Sequence, residues 1–315
     1  MSKQRIVSLI PSATEIVAGL GFEDRLVGRS HECDTPEGIA ELPALTAPKF
    51  DVNGSSGQID DRVRDLVQRG LSVYQVDAAT LEGLNPDLIV TQDQCEVCAA
   101  SLSEIEAALG TTTGLDVDVV SLKPLDLADA LVDMQRVADA IGEPSAGERL
   151  VGALRARLDE IAASAKDASY HPRIALIEWV DPLMAAGNWM PELARLARAE
   201  PVLGEAGAHS PWIEWDDVRA ADADIIAVMP CGYGIERTLG EMDLLTAQPG
   251  WSDLRAVRDG RVFVIDGNHY FNRPGPRLVE SCEILAEICH PGRFDFGHGG
   301  RGWVPFPPKA QGRPS

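Results

Sequence analysis

Lysine is scarce in this sequence: five stand against 23 arginines, and acidic residues outnumber both, so the formal net charge is −21 over 315 residues. A surface that acidic repels phosphate backbones, which argues against nucleic acid as a partner. No run of the ~18 apolar residues needed to span a bilayer occurs. The opening MSKQRIVSLIPSATE has neither a long apolar core nor a small-residue cleavage site, and the expectation is a cytoplasmic protein without a secretory signal. A Gly-x-Ser-x-Gly nucleophile elbow is missing. Gly232-Tyr233-Gly234 lacks the third glycine and the setting of a dinucleotide fingerprint. The sequence therefore favours binding over catalysis.

What is present is an alternation. Short apolar runs at 5–10, 26–28, 88–91 and 117–121 each lead into a polar or Gly/Pro-rich turn and then a helical stretch, and 173–179, 225–229 and 261–265 repeat the pattern. Strands alternating with helices imply parallel sheets with crossovers, whose binding loops leave the strands' C-terminal ends. Between the two sets, residues 145–164 place Leu150, Val151, Leu154, Leu158 and Ile161 at helical spacing behind a Gly142-Glu143-Pro144 start signal. Such a helix reaches roughly 30 Å and acts as a stiff spacer. The expected fold is α/β: two open α/β lobes joined by a single long rigid helix, with a ligand cleft between the lobes. The boundaries read as an N-terminal lobe at 1–125, connecting helices at 126–170, a C-terminal lobe at 171–292 and a flexible Gly/Pro-rich tail at 293–315. Ser12 and Glu15 have the spacing of a capping box for the first helix, and residues 59–69 read as an amphipathic helix.

Seven phrases occur in a fixed order: IVSLIPSATEIVAGLG, LVGRSHECDTP, LNPDLIVTQ, the long connecting helix, SPWIEWDDVRAADADIIAV, PGWSDLRAVRDGRVFVID and FNRPGPRLVE. Together, across residues 5 to 292, they resemble the cobalamin and iron-complex substrate-binding proteins of bacterial ABC importers. The resemblance implies the class III periplasmic-binding-protein fold, whose lobes move little on binding, and a corrinoid such as cobalamin, or a related metal complex, as ligand. It implies aromatic rings against the corrin at Trp179, Trp212, Tyr270 and Phe271, with Arg273 beside them. It also implies docking on an ABC permease through one acidic residue per lobe, here Glu82 and either Asp216 or Asp217. Flat rings suit a macrocycle because they bury area without a directional demand. By their own places near strand exits, Trp189, Tyr233 and Phe50 join the set.

Six cysteines without an export signal read as reduced thiols. Cys282 and Cys289 fall on one face of a terminal helix as small core residues. The other four lie in loops that the two-lobe fold gathers around the cleft: Cys33 with His31, Cys95 and Cys98 with two residues between them, and Cys231. Thiolate and imidazole suit Zn, Fe or Cu, and His269 is a candidate further ligand. The same residues also admit a redox pair at Cys95 and Cys98, or plain packing. A metal- or thiol-dependent cytoplasmic enzyme, or a metal-handling protein, is thus the second expected class. The long helix predicts little lobe motion, and loop 51–57 is expected to order over the cleft mouth when the cleft is filled.

Overall fold

A computed structural model describes residues 3–69, 71–93, 105 and 117–307. In chain order the strands are β1 (Ile6–Ser8), β2 (Leu26–Arg29), β3 (Thr46–Pro48), β4 (Tyr74–Val76), β5 (Leu88–Gln92), β6 (Asp118–Leu122), β7 (Arg173–Trp179), β8 (Met184–Ala185), β9 (Glu200–Pro201), β10 (Ile225–Val228), β11 (Val262–Ile265) and β12 (Trp303–Phe306). The helices used below are α1 (Pro11–Gly19), α2 (Ser56–Gln68), α3 (Ala78–Leu84), α4 (Leu127–Ala140), α5 (Pro144–Lys166), α6 (Met190–Leu196), α7 (Trp215–Ala221), α8 (Ile235–Leu239), α9 (Asp243–Thr246), α10 (Arg255–Arg258) and α11 (Leu278–Cys289).

Two main sheets form. The N-terminal one has the order β2-β1-β5-β6, and its ladders are all parallel. The C-terminal one has the order β12-β11-β10-β7-β8, with β9 also on β7; β7, β10 and β11 run parallel, while β8 and β12 are antiparallel. Strands β5 and β10 are buried along their whole length, as central strands covered on both faces must be. Their unbroken Leu88-Ile-Val and Ile225-Ile-Ala-Val runs supply that surface.

Between the sheets runs α5, 23 residues without a break, about 35 Å at 1.5 Å per residue. It buries Val151, Leu154, Leu158 and Ile161 on one stripe. Close packing against α4 needs Gly147, where a Cβ would meet Ala138 at 2.7 Å. Each sheet has a face packed by its own cluster, around Leu9 and Ile89 in one and Ile177 and Val228 in the other. The largest cluster, however, is shared: it joins Ile6 and Met134 to Leu154, Leu193 and Ile284. The connecting helix is therefore part of a common core.

Three local expectations change. The Ser12–Glu15 box does not form: α1 starts at Pro11 behind Ile10 with no side-chain cap, and Glu15 is drawn instead into ion pairs with Arg273 and Arg277. The helix expected at 59–69 begins earlier, at Ser56, under a true capping box made by Ser55 and Gln58; Ser-x-x-Gln is the local signal for it. Residues 293–307, expected within a flexible tail, are ordered. Trp303–Phe306 pairs with β11, and Glu287 of α11 accepts from Trp303 Nε1 at 2.6 Å and from the amides of Phe296 and His298. The Gly/Pro content of that stretch shapes turns around these anchors.

Candidate ligand-binding cleft

Loops leaving the C-terminal ends of β2 and β11 meet between the two sheets, and a buried ion cluster joins them. Arg273, after β11, is 7% exposed and donates to Asp34 Oδ1 at 2.6 Å, to Asp34 Oδ2 at 3.0 Å and to Glu15 Oε1 at 3.0 Å. Asn268 adds a bond to Asp34 at 3.0 Å. Burial alone would push the Asp34 carboxyl up, but the hydrogen bond and charge of Arg273, with Asn268 and His269 behind them, hold it at about 2. At Glu15 burial wins over Arg277 and Arg273, and its pKa is raised. The guanidinium of Arg273 is thus committed within the protein. Expected to touch ligand, it is instead the floor that fixes the two halves together.

His269 lies at the edge of that floor. Its Nδ1 is 2.7 Å from Asp266 Oδ2 and its Nε2 is 3.5 Å from Asp34. The hydrogen bond to Asp266 raises the imidazole pKa, against the opposing effect of burial. On the other side, His31 contacts Thr46 Oγ1 at 2.8 Å and lies beside Tyr74, with ring centroids 5.3 Å apart. Burial lowers its pKa. Tyr74 donates to Glu32 at 3.1 Å, and Glu32, although reachable by solvent, is raised by desolvation in the recess.

The expected aromatics divide. Trp212 is 54% exposed, with the Arg64 guanidinium 5.2 Å over its ring. Tyr270 is half-buried between Arg277, at 4.8 Å, and His298. Trp179 is nearly covered: its Nε1 donates to Asp181 O, and its ring meets Tyr233 edge-on at 5.1 Å. Tyr233 is 2% exposed beneath Arg237, whose guanidinium is 3.8 Å from the ring. Trp189 and Phe271 are core, not cleft. Both belong to the shared cluster, and Trp189 Nε1 donates to Phe271 O at 2.7 Å; a buried indole needs such a partner. Phe50 packs against the N-terminal core. Phe271 is also held at a positive φ of 65°, which turns the chain so that Arg273 can reach the floor.

Among the described residues the expected metal ligands do not come together: no group of three or more His, Cys, Asp or Glu side chains is placed to hold an ion. Cys33 is buried against Thr14 Oγ1 at 3.0 Å, and burial pushes its thiol up to about 11, the reverse of what a thiolate ligand needs. Cys231 is exposed, in the loop after β10. Cys95 and Cys98 lie outside the described residues. Cys282 and Cys289 are core residues, as the sequence implied. Of the expected docking acids, Glu82 is exposed in α3, Asp217 is exposed but caps its own helix through Glu214 N, and Asp216 is exposed beside Arg219.

Two mostly parallel sheets with a 23-residue helix between them in the chain fit the class III periplasmic-binding-protein fold. The chain belongs to the periplasmic binding protein family, matching it over residues 6–268. A vitamin B12-binding protein of Vibrio cholerae is 22% identical over 291 residues, covering 91% of this chain and 88% of that protein. An uncharacterized ABC transporter substrate-binding lipoprotein of Bacillus subtilis is likewise 22% identical, over 92% of this chain and 81% of that one. Among solved structures, a periplasmic heme-binding protein of Pseudomonas aeruginosa superposes with a TM-score of 0.69 at 22% identity, over 92% and 93% of the two chains. The vitamin B12-binding protein of Vibrio cholerae gives 0.62 at 18% identity, over 91% and 96%. No described helix is long and apolar enough to cross a membrane.

Proposed function

We propose that this chain binds a corrinoid between its two sheets and presents it to an ABC permease. The observation that carries the reading is the spent charge of the cleft. Arg273 and Arg277 are paired with Glu15, Asp34 and Glu280, while Glu32, Asp34 and Trp212 face solvent. Such a wall offers acceptors and an aromatic face. It suits a macrocycle fringed with neutral amide donors, as a corrin is, and not one fringed with carboxylates, as haem is, because carboxylates need uncommitted cations. The Vibrio relatives support the same choice, and the heme-binding neighbours make haem the competing ligand. Glu82 and Asp216, exposed on opposite halves, are the permease-facing acids of this reading. Cell fractionation decides in which compartment the protein works.

Titration of the purified protein with hydroxocobalamin, and separately with hemin, tests the ligand. One-to-one binding of the corrinoid at micromolar concentration or below, with hemin weaker, is expected. Hemin binding tightly while hydroxocobalamin fails at tens of micromolar would sink the corrinoid reading and leave the fold assignment untouched.

A further inference from the structure

Helix α2 belongs by packing to the N-terminal half: Val63 and Leu66 lie against the cluster of Val73 and Tyr74. Its leading edge nevertheless crosses to the C-terminal half at four separate places. The Ser56 amide donates to both carboxylate oxygens of Glu241, at 2.9 and 3.2 Å. Arg237 donates to Val52 O at 3.3 Å, and Arg64 lies over Trp212. Gly57 passes so close to Asp181 that a Cβ there would stand 2.4 Å from Oδ2.

The chemistry at Ser56 explains why Glu241 matters most. The first amides of a helix have no partner within it. The capping box satisfies Gln58 N through Ser55 Oγ and Ser55 N through Gln58 Oε1, and Ser56 N is left over. Glu241, between α8 and α9 of the other half, caps Ser56 N with a carboxylate at the positive end of a 13-residue helix. These contacts are polar and grouped on the side where Trp212 and Tyr233 lie; Ser56 itself is buried, whereas Arg64, Arg237 and Trp212 are exposed.

We infer that residues 51–68 form a strap across the cleft mouth, latched in the closed position by Glu241 and released when that bond breaks. The strap's role as a gate rests on the reading of the cleft as the ligand site, but the latch itself is independent of ligand. Hydrogen exchange and limited proteolysis on the unliganded full chain test the latch. In Glu241→Ala, amides around 53–59 should exchange about tenfold faster and cleavage within 51–57 should accelerate alike. Glu241→Gln, which keeps an acceptor without the charge, should fall between, and Glu236→Ala, the same charge change elsewhere on that surface, should match the wild type. Exchange unchanged in Glu241→Ala overturns the latch. Stopped-flow binding of hydroxocobalamin, or of hemin if the corrinoid does not bind, tests the gate. Association and dissociation should both quicken severalfold in Glu241→Ala with little change in Kd; a looser strap with unaltered rates overturns the gate while leaving the ligand reading intact.

Discussion

The two places where the halves of this protein meet are held by different physics. At the floor, Arg273 is buried between Glu15 and Asp34, so its charge has been taken out of water and its partners must stay where they are. At the mouth, Arg237 and Arg64 reach across from exposed positions, where water competes on nearly equal terms, and the one buried group there, the Ser56 amide, is held by Glu241 alone. The floor resists separation and the mouth permits it. Motion on binding is then expected in a strap and not in a hinge, as the unbroken α5 and the shared core also require.

The largest effect that sharpens this contrast is Arg273→Met. It leaves the buried Glu15 carboxylate with only Arg277, at 3.5 Å, and should lower stability by about 3 kcal/mol, read from denaturant unfolding. A loss below about 1 kcal/mol would put the floor on a level with the mouth. Next is Trp212→Ala, which should change stability by under about 0.5 kcal/mol yet weaken hydroxocobalamin binding about tenfold in a calorimetric titration; equal loss of both would make Trp212 a core residue.

Acid titration gives a smaller signal. The folded pKa of Asp34 is depressed from 3.8 to about 2, so its contribution is present above about pH 4 and is lost as pH falls through 2. Because Asp34 is more than a third exposed, solvent screens the effect. An acid shoulder in the wild-type unfolding profile should flatten in Asp34→Asn. Smallest is His269, whose pKa is raised. Its contribution is complete below the ordinary value of 6.5 and disappears as pH rises through the folded value. Ring-proton NMR should show a folded pKa above 6.5 that drops in Asp266→Asn; no drop would remove Asp266 as the cause.

Much of the fold was legible because it depends on local pattern. The buried strands β5, β7 and β10 and the stripe of α5 follow from period and run length alone. The site was legible only in outline. Trp189, Trp212 and Phe271 look alike in sequence, since each is an aromatic near the end of an apolar segment, and only tertiary packing decides that Trp212 is exposed while the other two are core. Arg273 and Glu15 stand 258 residues apart, and no local spacing announces that pairing. Likewise the Ser55-x-x-Gln58 pattern shows where α2 starts, but nothing near it shows that Glu241 completes the cap.

Strand β12 sets how the C-terminal sheet ends. An outer strand offers a row of unpaired main-chain groups on which another chain can add. Here the outer position holds Trp-Val-Pro-Phe, with Pro305 opposite Phe263, and a residue without an N–H cannot donate to any newcomer at that point. Removing the last strand would do more than shorten the protein: it would uncover β11, an unprotected apolar edge in a sheet that otherwise stops at a proline, and invite copies to pair edge to edge. Strand β12 thus serves as a terminator that keeps the sheet finite.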